Sequence, residues 1–124
     1  MTKINCNELT TARVGMRTAL LILKKWNCNQ QQIQAVLNLP VNYNNLDIEK
    51  FNLSQDQVER ISYILNIHAG LSTLFSNPEN IYGFMNMVNH NEPFNGTRPI
   101  DVICNGKTNH LKVVMSHIDQ LVRH

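Results

Sequence analysis

A chain of 124 residues, 43% apolar and only 16% charged, has room for one compact domain or two small modules that share a core. Its net charge of +2 is too small to announce a polyanion partner, and its three cysteines, Cys6, Cys28 and Cys104, give neither a disulfide framework nor a CxxC zinc pair. Residues 1–8 lack the apolar core of a signal peptide, and the longest apolar run, from Ala19 to Leu23, is too short to cross a bilayer, so a cytoplasmic protein with reduced, idle thiols and no membrane contact is expected.

In chain order, apolar residues at Val14, Met16, Ala19, Leu20, Leu23 and Trp26 follow helical spacing, with Leu21 and Ile22 widening the stripe. A face this wide predicts burial on two sides and a homodimer. A second, shorter helix is predicted from Asn29 to Asn38, with Asn29 as N-cap, Ile33, Val36 and Leu37 inward, and Asn38 at an end where left-handed geometry is tolerated. Leu39-Pro40 then forces a turn. The stretch from Val41 to Phe51 predicts a third short helix with a weak, Asn-rich start. Ser54 with Gln57 three residues on forms a capping box that opens the longest helix, to about Leu74, with Val58, Ile61, Ile64, Leu65, His68, Leu71 and Phe75 inward. Asn77-Pro78-Glu79 starts the next helix, with Ile81, Phe84, Met85 and Val88 on its buried side. Pro99 begins a short helix through Cys104, Asn105-Gly106 stops it, and a last helix runs from about Thr108 to Arg123 on a stripe of Leu111, Val114, Met115, Ile118 and Leu121. No segment alternates like a strand, so the fold class is all-α.

Charge is unevenly distributed. Residues 1–25 carry Lys3, Arg13, Arg17, Lys24 and Lys25 against Glu8, a net +4, while residues 26–97 carry −4 and residues 98–124 return +2. Residues 29–51 have the outline of a helix-turn-helix, whose second helix would present Asn42, Tyr43, Asn44, Asn45 and Lys50 to the major groove, Asn being able to pair with adenine. Asp47 and Glu49 in the same stretch oppose a phosphate surface. His110 and His117 stand two helical turns apart, about 10 Å by rise and too far for one metal ion. A set of Cys104, His110 or His117, and Asp119 lacks the glycine-rich elbow that would activate a nucleophile, and the five glycines are dispersed, so neither an enzyme nor a bound cofactor or metal is expected.

From Ser54 onward the chain carries Phe75, Asn77-Pro78-Glu79, Phe84-Met85, and then Asn91, Phe94, Gly96 and Pro99-Ile100-Asp101 before a closing helix. This order resembles the toxin-binding domain of the Xre/MbcA/ParS antitoxins, the partners of RES-domain toxins. The junction Leu53-Ser54-Gln55-Asp56-Gln57-Val58-Glu59-Arg60-Ile61 resembles the family's link between its halves, and Trp26-Asn27-Cys28-Asn29 stands where its Xre-like part usually has Trp-Gly-Leu-Ser. The chain departs from the pattern in offering only Tyr43 and Lys50 where DNA-binding members are more basic, and in placing Arg98 before Pro99.

The resemblance implies two parts: an Xre-like helix-turn-helix domain over residues 1–53 for dimerisation and operator binding, and a toxin-binding domain over 54–124. It implies an antitoxin that blocks the active site of a NAD-consuming RES-type toxin, forms a hetero-oligomer with it and regulates its own operon. Asn91, Phe94, Arg98 and Asp101 would hold the register, and His117, Gln120, Leu121, Arg123 and His124 at the end of the last helix would enter the toxin's cleft. The alternative is a free-standing helix-turn-helix transcriptional regulator with no toxin partner.

Overall fold

In the computed structural model, residues 9–47 and 50–123 are described; Ile48, Glu49 and His124 lie outside them, as does the segment with Cys6. Among the described residues six α-helices follow one another: α1 Leu9–Lys25, α2 Gln30–Leu37, α3 Gln55–Leu74, α4 Pro78–Gly83, α5 Pro99–Ile103 and α6 Thr108–Arg123. Among the described residues there is no strand, only an isolated bridge between Asn89 and Thr97. The fold is all-α, and no described helix is long and apolar enough to cross a membrane.

The local signals act as their chemistry dictates. Asn29 and Ser54 each accept a hydrogen bond from the backbone N–H three residues on, and Gln32 and Gln57 return the bond to the cap's own N–H, completing two capping boxes. Asn38 ends α2 with φ 53°, in the left-handed region that asparagine tolerates. Asn77 caps α4, with Pro78 in its first turn and Asn80 donating its N–H to the cap's side chain.

Helix α3 is the central rod, packed most extensively on α6 and next on α1, and α5 closes against α6. At Gly70 a Cβ would lie 2.5 Å from the Cγ2 of Ile118, a stiff β-branched side chain. Only glycine permits this approach of α3 and α6, and the lost helix propensity of about 1 kcal/mol is the smaller effect beside a core clash of about 1–3 kcal/mol. Buried residues from α1 through α6 join one continuous core that includes Trp26, Leu37, Ile64, Leu71, Ile100, Val114 and Ile118.

Three side chains of α3 tie this core together. Arg60, only 7% exposed, donates Nη1 to the carbonyls of Ala35 and Val36 at 3.2 Å each and Nε to Asp56 at 2.8 Å. Asp56 in turn accepts from Asn38 Nδ2 and from the hydroxyl of Thr108, the first residue of α6, while Gln57 Nε2 donates to the carbonyl of Asn38. The Ala35 carbonyl at the end of α2 also accepts from the Asn38 N–H, while those of Val36 and Asn38 are answered from α3. Nothing in the periodicity of the sequence announces this network.

Two expectations are corrected, and the apolar face of α1 is divided between core and surface. The described residues of 41–52 form no α-helix; Tyr43–Asn45 is a single 3-10 turn, because four polar Asn and Tyr residues after Pro40 give neither propensity nor an apolar stripe. On α1, Ala19, Ile22 and Leu23 are buried within the chain itself, while Val14 and Leu21, seven residues apart, are 52% and 60% exposed. The face expected to need a second copy is thus largely consumed by the chain's own core. Val88, expected inside, is exposed because the helix has ended and a 3-10 turn, Phe84–Asn86, turns the chain outward.

Replacing Arg60 by Ala removes the donor to the buried Val36 carbonyl, one of two donors to the Ala35 carbonyl and one of three to Asp56, and denaturant unfolding should show a loss of about 1–3 kcal/mol. Burial alone would raise the Asp56 carboxyl, but bonds from Thr108, Asn38 and Arg60 hold it below its ordinary value of 3.8. A depressed carboxylate stabilises the fold above its unfolded value and ceases to do so as pH falls through the folded one. The deficit of Asp56→Asn relative to the native chain should therefore be full at pH 7 and shrink progressively as pH falls below 3.8 through the lower folded value, as followed by urea melts across pH.

Candidate protein-docking site

The loop between the 3-10 turn and α5 is built around Phe94. The N–H groups of Phe94 and Asn95 both donate to the carbonyl of Asn91, Gly96 N–H donates to the carbonyl of Asn89 at 2.8 Å, and the Thr97 hydroxyl donates to the carbonyl of Phe94. Asn95 and Gly96 both take positive φ, 51° and 92°, which reverses the chain and drives the Phe94 ring inward. The Glu92-Pro93 peptide is cis. Phe94 is 2% exposed and meets His117 of α6 edge-on, with ring centres 5.1 Å apart and planes at 84°.

This contact joins the loop to α6 and leaves a groove of about 430 Å³ between them, lined by Glu92, Pro93, Asn109, Lys112, Val113, Ser116, His117 and Gln120. Along α6, Asn109, Lys112, Ser116, Gln120 and Arg123 are all exposed, at steps of three and four residues that make one straight polar stripe. A smaller depression lined by Ser116, Asp119, Gln120 and Arg123 continues it toward the last turn of α6. The opposite stripe, Leu111, Val114, Met115 and Ile118, is fully committed to the core. Leu121, 40% exposed, sits beside the polar stripe in the last turn of α6 rather than inside.

The expected toxin-contact residues divide accordingly. Gln120, Leu121 and Arg123 are exposed at the end of α6, and Asn91 is exposed on the loop. Phe94 is a core plug that shapes the loop from within, so it is corrected from contact to support. His117 is half-buried against that plug and lines the groove. Arg98 and Asp101 face each other across the first turn of α5, with Nε and Nη2 donating to the two carboxylate oxygens at 3.0 and 2.8 Å. This bidentate pair replaces the missing side-chain cap before Pro99 and holds the Asp101 carboxyl below its usual range. His124 lies outside the described residues. Lys112, Ser116 and Asn109 were missed, although stepping back from Gln120 by four, four and three residues would have found them.

The proposed DNA-reading residues are not presented together. Asn42, Asn44, Asn45 and Lys50 are exposed, but Tyr43 is 8% exposed, buried under the turn, and its hydroxyl is pushed up by that burial. Tyr43 is therefore corrected from a base-reading residue to a core anchor, and with no α-helix in this stretch nothing presents the four polar side chains to a groove at helical spacing.

The titratable side chains are engaged elsewhere. Cys104 has Cys28 as its neighbour, His110 hydrogen-bonds through Nδ1 to Asn105, and His117 stands against Phe94, so none of these contacts pairs a nucleophile with a base. His68 hydrogen-bonds and stacks on Tyr82, whose ring also carries the Lys25 ammonium 4.9 Å from its centre. Among the described residues, no three His, Cys, Asp or Glu side chains are grouped to hold a metal ion.

No protein-family model matches this chain, and neither the curated proteins nor the solved structures include a match to it.

Burial lowers the His117 imidazole below its ordinary value of 6.5, so the ring that borders the groove is predominantly neutral at pH 7. An NMR titration should place its midpoint below 6.5, and Phe94→Ala should move it back upward while costing about 3–5 kcal/mol of stability. A midpoint of 6.5 or above in the native chain would contradict the packing described.

Proposed function

We propose that this chain is a cytoplasmic, non-enzymatic antitoxin that neutralises a NAD-consuming toxin of the RES type by occluding its active site. The observation that carries the reading is the two-sided character of α6: one stripe is locked into the core, while the other runs beside a groove to a last turn bearing Gln120, Leu121 and Arg123. A helix held rigidly along one side loses little conformational entropy when its exposed side docks. Leu121 supplies an apolar anchor, and Arg123 supplies a planar donor suited to the carboxylates of a nucleotide-binding cleft. The ordering of Asn77-Pro78-Glu79, the Phe94 loop and Pro99-Ile100-Asp101 ahead of that helix is the sequence feature by which the chain resembles the toxin-binding domain of Xre/MbcA/ParS antitoxins.

In this reading residues 54–124 bind the toxin and residues 1–53 brace them and supply a dimer contact. Val14 and Leu21 are the exposed apolar pair available for that contact on α1. Operator binding has weaker support, since the stretch expected to read DNA is not an α-helix among its described residues and Tyr43 is buried.

A truncation of α6 from residue 117 would open the core, because Ile118 is fully buried against Gly70, so point changes in the exposed last turn are the test. The better variant is Leu121→Asp with Arg123→Glu. With a RES-type toxin encoded by the neighbouring reading frame, the native chain should suppress NAD consumption at stoichiometric concentration and co-elute with the toxin. The double variant should need at least about tenfold more protein, the loss of roughly 1.4 kcal/mol or more, with an unchanged melting temperature. Equal inhibition by both proteins, or no complex with the native chain, would rule out α6 as the inhibiting element.

A further inference from the structure

Asp119 is a charged side chain that the fold leaves unanswered. It is 9% exposed, and its Oδ1 has no hydrogen-bond partner. Among the described residues no cation forms an ion pair with it, although Arg123, four residues on, lines the same depression of α6. Its place in the helix adds a smaller cost of the same sign. Asp119 lies one turn from the C-terminal end of α6, where the helix dipole favours a cation and opposes a carboxylate. Buried polar atoms without a partner are few in native proteins, and a buried charge without one is strongly destabilising, so the group points to something that completes it.

We propose that the depression around Asp119 is a socket for an arginine side chain of a protein partner, with the guanidinium bonded to the Asp119 carboxylate. The depression has a volume of about 250 Å³, and three of the four side chains that line it carry acceptors: the carboxylate of Asp119, the hydroxyl of Ser116 and the amide oxygen of Gln120. Charge, shape and hydration all select a guanidinium. Its planar fork presents five N–H donors, enough to meet several acceptors at once, and it sheds water more readily than an ammonium, which matters beside a carboxylate that is nine-tenths buried. Arg123 is exposed, so its own guanidinium is able to turn outward while the socket fills. Assigning the arginine to a protein partner rests on the reading of α6 as a docking helix, since the depression continues the exposed stripe. A fitting partner then offers a base to Asp119 beside an acid for Arg123, and a surface with the two reversed is rejected by like charges.

The test titrates blocked tripeptides, acetyl-Gly-Arg-Gly-amide and its Lys and Gln counterparts, into the full isotope-labelled chain at low salt, followed by NMR with Val14 on α1 as a distant control. The Arg peptide should shift the amide signals of Ser116, Asp119 and Gln120 in a saturable way, the Lys peptide should bind at least about threefold more weakly, and the Gln peptide should leave them unmoved. Asp119→Asn should lower the Arg-peptide affinity by about tenfold or more, while its melting temperature stays at or above that of the native chain because an unpaired buried charge is gone. No shift, shifts that spread to Val14, a Lys or Gln peptide that binds as well as the Arg peptide, or a response unchanged in Asp119→Asn would each overturn the socket. So would a melting temperature lower by more than about 5 °C in that variant, the sign of a partner for the carboxylate within the chain. No toxin enters this assay, so its failure leaves α6 standing as the inhibiting element, and a failed toxin complex leaves the socket standing for another partner.

Discussion

Arg60 sits where three helices meet, and the arrangement of the rest depends on what its guanidinium holds. It reaches from α3 to the last carbonyls of α2 and to Asp56, which in turn receives the hydroxyl that opens α6. A cation placed at a helix C-terminus is favourable both for the unpaired carbonyls and for the helix dipole. Here the same cation is almost wholly buried, so its pairing is a requirement of the fold rather than a surface ornament. The register between the N-terminal helices and α6 is thereby fixed through one turn of α3.

That register gives α6 its character. Gly70 lets it lie close on α3, Ile118 fills the contact, and the Phe94 plug pins its middle through His117. What remains exposed is a straight polar stripe with a groove along one side and an apolar residue at the tip. A binding element that is already ordered before it meets a partner avoids much of the entropic cost of docking, which is the physical basis for reading this helix as the inhibiting element.

Much of the backbone was legible in the sequence because caps are local. Asn29 with Gln32, Ser54 with Gln57, Asn77 with Pro78, and Asn38 in left-handed geometry each need only a few neighbouring residues to act, and each acts as its side chain dictates. The apolar period of α6 likewise needed no tertiary knowledge, except at Leu121, where the last turn runs past the edge of the core. What was not legible depends on residues far apart in sequence. Tyr43 looked like a reading residue until the turn that carries it folded over α1's side of the core, and Phe94 looked like a contact until two positive-φ residues turned it inward. Lys112 and Ser116 belong to the groove only because the Phe94 loop lies opposite them.

The account makes the exposed tip of α6 the element that a toxin covers, and side-chain footprinting tests this most directly. Hydroxyl-radical labelling of the chain alone and in complex with a RES-type toxin compares Leu121 with Leu46, which is similarly exposed but lies in the turn after α2. The account predicts that Leu121 loses its reactivity in the complex while Leu46 keeps it. Persistent labelling of Leu121, or protection of Leu46 in its place, would contradict it.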